Sequence, residues 1–555
     1  MTERRPNVVV IVVDDLGFSD LGCFGSGIAT PHLDRMAADG LRFTNFHTTP
    51  LCSPSRACIL TGRNHHAVGW GYLVERAQPG YHGRIPTSAA TFARVLRDSG
   101  YRTFALGKWH NVPADEQGRG RAHSAATRDR TAVSASKEHW PLGLGFERFY
   151  GFVNGMTDQY DPNLVRDDEL IDRPGEPGDD YHFSEDLARQ AIEYVDEAGD
   201  DPFLLYVATG AVHVPHQVPA EWIDRYRGRF DDGWDAERER RYRRQLELGV
   251  IPPGTTLTER PPMVPAWDEL SETERRVFAR QMETFAGFVS HTDAQLGRIL
   301  DHLEETGVLD DTIVLMVSDN GAAGETANGA YDWEGFRSDG QVEVAAEHLE
   351  EFGSPGTFNC YASGWAWAGS TPLRMWKFYT WLGGVRVPLI VRWPAGIPEG
   401  RRGGIREQFA HAIDLMPTIL DAVGVPVPEA VGGVPQQLLD GASIREAFAD
   451  PDAPNARTTQ YFEMSGSRAI VHDGWKATTD HIPAKEYNPA GYRGRREDGS
   501  LDFATDRWAL FDLTADFSEA HDLAAEHPDR LAELIEVWER EAERNHVHPM
   551  DDSGG

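Results

Sequence analysis

Several stretches of the chain are apolar without alternation, and two of them stop at acid. Residues 7–13, Asn7-Val8-Val9-Val10-Ile11-Val12-Val13, end at Asp14-Asp15-Leu16-Gly17; residues 312–317 end at Ser318-Asp319-Asn320-Gly321. A third run, residues 202–207, leads to Ala211-Val212-His213-Val214-Pro215-His216. Continuous β-branched runs of this length predict strands of a parallel sheet buried on both faces. Shorter strands are predicted at 102–106, 387–392 and 508–513, and segments 469–471 and 475–477 pair across Asp473-Gly474. A helical period governs 87–99, with Phe92, Val95 and Leu96 inward and Gly100 as its stop. It also governs 272–305, where Phe278, Met282, Phe285, Val289, Leu296, Ile299 and Leu303 form a core stripe. His411 to Pro417 reads as a capped helix start, and 528–543 as a closing amphipathic helix.

This alternation predicts an α/β fold in two parts. Residues 1–430 form a large domain with a central, mostly parallel or mixed sheet flanked by helices; residues 431–555 form a smaller α+β domain with an antiparallel sheet and the closing helix. The Pro/Gly/Val-rich run 424–435 marks the join. Residues 112–137 read as a flexible loop, 140–162 as structured loop and 221–268 as a charged excursion outside the core. The long Gly- and aromatic-rich loop 321–370 is expected to wall a substrate pocket.

Composition narrows the function. At 555 residues the chain exceeds one simple core, and 40% apolar content suffices to fill two. A net charge of −34 argues against nucleic acid or an anionic membrane as partner. Four cysteines, Cys23, Cys52, Cys58 and Cys360, make neither a disulfide framework nor a zinc spacing, which fits a reducing compartment. With no cleavage site and no membrane span, the expected location is cytoplasmic.

The two acidic strand ends suggest chemistry. Ligands gather at the carboxyl ends of strands in open α/β sheets. Asp14, Asp15, Asp319 and Asn320 would supply hard oxygen donors, which suit Ca²⁺ or Mg²⁺ rather than zinc. Either pair alone reads as turn residues; the two together favour a metal. Between them lies Pro50-Leu51-Cys52-Ser53-Pro54-Ser55-Arg56-Ala57-Cys58-Ile59-Leu60-Thr61-Gly62. Ser53 can cap a helix with Pro54 in its first turn. Cys52 would then sit at the positive helix end, acidified and nucleophilic, with Arg56 facing the same spot.

This stretch resembles the signature of the type I sulfatases, whose cysteine is oxidised to formylglycine (3-oxoalanine). Gly100-Tyr101-Arg102-Thr103-Phe104-Ala105-Leu106-Gly107-Lys108-Trp109-His110 resembles their second signature, with Leu106 bulkier than the expected small residue. The resemblance implies an alkaline-phosphatase-like fold and hydrolysis of sulfate monoesters through a hydrated formylglycine at residue 52 and a covalent sulfo-enzyme intermediate. It implies one divalent cation, Ca²⁺ before Mg²⁺, on Asp14, Asp15, Asp319, Asn320 and residue 52. Sulfate would be bound by Lys108, by His213 before its X-Pro, and by Lys377 in Leu373-Arg374-Met375-Trp376-Lys377. His216 is the near neighbour open to confusion with His213. Asp319 would act as base, Arg56 would hold the diol, and His213 or Lys377 would protonate the leaving oxygen. His110 would serve the later elimination. The implied partners are a small sulfate ester and a formylglycine-generating enzyme. The aromatic loop resembles that of bacterial arylsulfatases, which makes aryl sulfates the expected substrates. Rival readings are a phosphate or phosphonate ester hydrolase of the same superfamily, and a non-catalytic sulfate-ester-binding protein with Cys52 unconverted.

Overall fold

The apolar runs do become strands buried on both faces, in a computed structural model that describes residues 5–73, 75–113, 116, 136–176, 178–338, 340–481 and 503–550. The main strands are β1 (Asn7–Val13), β2 (Leu41–His47), β3 (Arg102–Lys108), β4 (Arg148–Phe152), β5 (Phe203–Ala208), β6 (Thr312–Ser318), β7 (Arg386–Arg392) and β8 (Gly404–Arg406). They lie in the order β8-β2-β7-β6-β1-β5-β3-β4. Around β1 the sheet is parallel, and β7 runs antiparallel to both β6 and β2. The sheet is therefore mixed, as expected.

Successive residues of β1 alternate between two cores. Val9, Ile11 and Val13 belong to one, Val8, Val10 and Val12 to the other. The first core receives α1 (Pro31–Ala38), while α2 (Cys52–Thr61) and α3 (Phe92–Asp98) pack into the second. The first core also takes α4 (Phe183–Ala198), α5 (Gly233–Leu248) and α6 (Glu272–Glu305). Helix α6 has the bounds its sequence period predicts.

Some expectations need correction. Helix α3 begins at Phe92, not at residue 87, because the Thr91 hydroxyl accepts the Arg94 N–H and caps it there. Residues 140–162 contain β4. The charged segment 221–268 is not outside the core. It carries α5, whose Trp234 is buried and whose Arg238 guanidinium donates to the Trp367, Pro372 and Leu373 carbonyls. Arg241 is likewise internal and pairs with Asp20 at 2.6 Å. These arginines tie backbone together inside the protein, so charge misleads there. The loop 321–370 holds short helices at Trp333–Arg337, Val342–Glu347 and Ser363–Gly369, and its Trp365 and Trp367 are core residues. Most of the loop expected at 112–137 lies outside the described residues.

A separate antiparallel sheet joins β9 (Thr459–Met464), β10 (Ser467–His472), β11 (Trp475–Thr479) and β12 (Ala509–Asp512) in sequential order. Its β10–β11 turn is at Asp473-Gly474, both at positive φ. Tyr461, Ile470 and Leu510 pack there against Leu534 and Trp538 of α7 (Pro528–Arg544).

Candidate active site

Strand register builds the site. Val13 pairs with Ser318, which sets Asp14 beside Asp319 at adjoining strand ends. Val12 and Gly107 both pair with Ala208, bringing the end of β3 and its Lys108 to the same edge. This close pairing needs a glycine: a Cβ on Gly107 would lie 1.8 Å from the Ala208 carbonyl oxygen. The bulkier Leu106 is absorbed in the core.

Helix α2 starts at Cys52, with Leu51 as its N-cap, so Ser53 is inside the first turn and does not cap it. Asn111 Nδ2 instead holds the Ser53 carbonyl at 2.9 Å. Cys52 does lie at the helix N-terminus, but its thiol is not acidified. Burial pushes it up to about 11, outweighing the lysines nearby. An unmodified Cys52 is thus a neutral thiol at neutral pH.

The charged groups form a closed network. Arg56 donates through Nη2 and Nε to Asp319 Oδ2 at 2.7 and 3.0 Å, and through Nη1 to the Lys108 carbonyl at 2.9 Å. Lys108 Nζ reaches Asp14 Oδ2 at 2.7 Å. Lys377 Nζ sits between Asp15 Oδ2, at 2.8 Å, and Glu325 Oε1, at 2.6 Å. His213 Nε2 lies 3.5 Å from Asp15 Oδ2 and 3.7 Å from Glu325 Oε1. Its Nδ1–H donates to the Val214 carbonyl at 2.8 Å, which turns Nε2 toward the acids. His110 Nδ1 is 3.2 Å from Cys52 Sγ. His216 instead packs on Phe285 and Tyr361.

Burial explains most of the electrostatics. Burial, reinforced by the Asp319 charge, raises the Asp14 carboxyl well above the usual range. Burial would raise Asp15 too, but Lys377, His213 and Lys108 hold it below. His110, buried beside Lys108 and Arg56, falls far below an ordinary imidazole, and burial takes His213 down to about 3. Both rings are neutral. Burial would lower Lys377, yet Asp15 and Glu325 keep it firmly an ammonium. Asp15 and His110 have φ of 61° and 59°, a left-handed conformation uncommon for residues other than glycine and concentrated at functional sites. Gly155 makes room for His110, since a Cβ there would come within 2.8 Å of Nε2.

The donor set fits a hard cation. Asp14 Oδ1 and Asn320 Oδ1 are buried without a hydrogen-bond partner. Donor atoms of Asp14, residue 52 and Asp319 lie within 4.8 Å of one another. A buried carboxylate oxygen and a buried amide oxygen left without donors call for positive charge, and oxygen donors suit Ca²⁺ or Mg²⁺. Every residue singled out in the sequence, apart from His216, falls in this network. Glu325 was missed. Its only signal is that it is the sole acid in Ala322-Ala323-Gly324-Glu325-Thr326-Ala327-Asn328-Gly329.

The family model for sulfatases matches residues 6–425. The chain belongs to the sulfatase family. An uncharacterized sulfatase of Schizosaccharomyces pombe is 31% identical, over 99% of this chain and 96% of the relative. An arylsulfatase of Klebsiella aerogenes is 29% identical, over 80% of this chain and 92% of its own. Among solved structures, Ps i-CgsB in complex with a neocarrahexaose superposes with a TM-score of 0.64 at 22% identity, over 99% of this chain and 95% of that one. The putative sulfatase yidJ from Bacteroides fragilis gives 0.64 at 19% identity, over 100% and 99%. Both share the fold. This sulfatase is therefore an enzyme, a sulfuric ester hydrolase, and the buried network at the ends of β1, β3 and β6 is its candidate active site. No helix among the described residues is long and apolar enough to cross a membrane.

Proposed function

We propose that this sulfatase hydrolyses aryl sulfate monoesters, with formylglycine at residue 52 and one Ca²⁺ on Asp14, Asp15, Asp319 and Asn320. The observation that carries the proposal is the 3.2 Å approach of His110 Nδ1 to the residue-52 side chain, within donor distance of Asp14 and Asp319. When bound, the cation would offset the buried carboxylates and draw charge from the sulfate oxygens. The hydrated aldehyde would supply two hydroxyls, one to attack sulfur and one whose deprotonation releases sulfate. Asp319 is the base for the first, and Arg56 fixes Asp319 through two hydrogen bonds. Neutral His110 accepts the proton of the second at Nδ1. Lys108 and Lys377 hold the sulfate, with His213 beside them. Lys377, an ammonium between two carboxylates, protonates the departing oxygen better than a neutral His213.

Apolar surfaces flank both ends of the network. Leu51, next to residue 52, packs with Phe378, Tyr72 and Leu73. Val214, next to His213, packs with Met156, Phe336 and Phe358. These favour an aromatic leaving group. Maturation would need a formylglycine-generating enzyme, and we place the protein in the cytoplasm.

The test is mass spectrometry of the peptide spanning residues 43–56, from protein co-produced with such an enzyme. We expect an aldehyde in place of the Cys52 thiol and aryl sulfate turnover that Cys52→Ala abolishes. Fully active protein with an intact thiol overturns the proposal. Cys58→Ala, a buried packing site on the same helix, should retain activity.

A further inference from the structure

Lys377 has one carboxylate more than charge balance requires. Asp15 Oδ2 already pairs with its ammonium at 2.8 Å, yet Glu325 Oε1 lies closer still at 2.6 Å. The second oxygen, Oε2, is buried without a hydrogen-bond partner. Glu325 is also the outermost charge of the network: its side chain is 11% exposed, against 2% or less for Lys377, Asp15, Asp14, Lys108, Arg56 and Asp319. It is not there by slack in the loop. The Lys377 N–H donates to the Ala322 carbonyl at 2.9 Å and the Ser363 N–H to the Thr326 carbonyl at 3.0 Å, pinning the chain on both sides of Glu325.

Formal charge gives this acid a purpose. With the divalent cation in place to hold Asp14 ionised against its burial, Asp14, Asp15, Asp319 and Glu325 contribute four negative charges, and Arg56, Lys108 and Lys377 three positive ones. With the divalent cation of the proposed function the site totals plus one, which matches the single charge of a sulfate monoester. Without Glu325 it would total plus two and match the dianion of a phosphate monoester. We propose that Glu325 is a specificity residue, selecting monoanionic sulfate esters over isosteric dianionic phosphate esters from the outer edge of the site. The inference rests on the sulfate-ester reading above.

The test measures binding, apart from turnover. Unconverted protein carrying Cys52 is loaded with Ca²⁺ and titrated calorimetrically with 4-nitrophenyl sulfate and with 4-nitrophenyl phosphate. The pH is held at about 8.5, well above the second phosphate ionisation near about 6. A unit charge at this range, in so dry a site, is worth at least roughly 10-fold in relative affinity. Glu325→Gln should therefore shift the sulfate-to-phosphate ratio of Kd values toward phosphate by about 10-fold or more. Glu325→Asp, which keeps the charge, should preserve the wild-type ratio. A structural role alone would weaken both ligands together. A ratio unchanged in Glu325→Gln, or moved as far by Glu325→Asp, overturns the inference. Failure of converted wild-type enzyme to hydrolyse 4-nitrophenyl sulfate is a separate result, and overturns the reading beneath it.

Discussion

Residue 52 is surrounded by groups whose separate duties can be told apart by single substitutions. His110 faces its side chain, whereas Lys377 is paired with Asp15 and Glu325. His110→Ala should leave the first step intact and stall the second, seen as a burst of phenol, arrested turnover and sulfate retained on the residue-52 peptide. Lys377→Ala should slow the first step, most for leaving groups of high pKa, so that a plot of log(kcat/KM) against leaving-group pKa steepens. A burst in Lys377→Ala and none in His110→Ala would reverse the assignment. The proposed mechanism gives Asp319 two duties. Asp319→Ala should lose the stoichiometric cation by elemental analysis. It should also lose about 3–5 kcal/mol of stability in denaturant melts, because the buried Arg56 loses its shortest ion pair and keeps only Asp14 at 3.6 Å. Wild-type protein should bind Ca²⁺ and melt higher for it; zinc at stoichiometry would contradict the donor set. The acids at 14, 15 and 319 are legible in the sequence because strand-end grammar marks them. Glu325 is not, since a single acid in a Gly/Ala-rich loop has no spacing to betray it. The high thiol pKa of Cys52 was hidden for a different reason: helix position can be read from sequence, but depth of burial cannot.

At the scale of elements, α6 and α1 are joined by an acid that belongs to neither cap in sequence terms. Asp293, inside α6, accepts the N–H groups of Leu33 and His32 at 2.9 and 3.1 Å, serving the start of α1 where Thr30 makes no side-chain cap. Burial lifts its carboxyl from the ordinary 3.8 to about 7. The folded state then keeps a proton that the unfolded state gives up near 3.8. Its contribution to stability is present below about pH 4 and is lost as pH rises to about 7, on the order of a few kcal/mol. Asp293→Asn should remove this slope. Its Tm relative to wild type should climb between about pH 4 and 7 and then level off; a constant difference across that window would refute the coupling. Long periodic elements such as α6 were readable end to end. Helix α3 was not, because its true start depends on one capping hydroxyl, and α5 was missed because its buried arginines look like surface.

Across the whole molecule, the small sheet is tied to the segment that carries Lys377. Lys476 of β11 ion-pairs with Glu519 and donates to the Thr380 carbonyl at 2.8 Å, while Glu519 Oε2 accepts the Leu382 N–H at 2.7 Å. Lys476 and Glu519 are both fully buried. Glu519→Gln should cost about 3–5 kcal/mol, and Lys476→Met in the same chain should recover much of it, as read from paired denaturant melts. Additive losses in the double variant would show that the two do not act as a pair. Helix α2 is enclosed on every side. All ten of its residues are buried, Cys52 among them at 1% exposure. A catalyst that oxidises this thiol has nowhere to grip once the helix has docked. Under the proposed formylglycine reading, the aldehyde would be installed while the chain is still open, and the yield of active protein would be settled by a race between oxidation and folding.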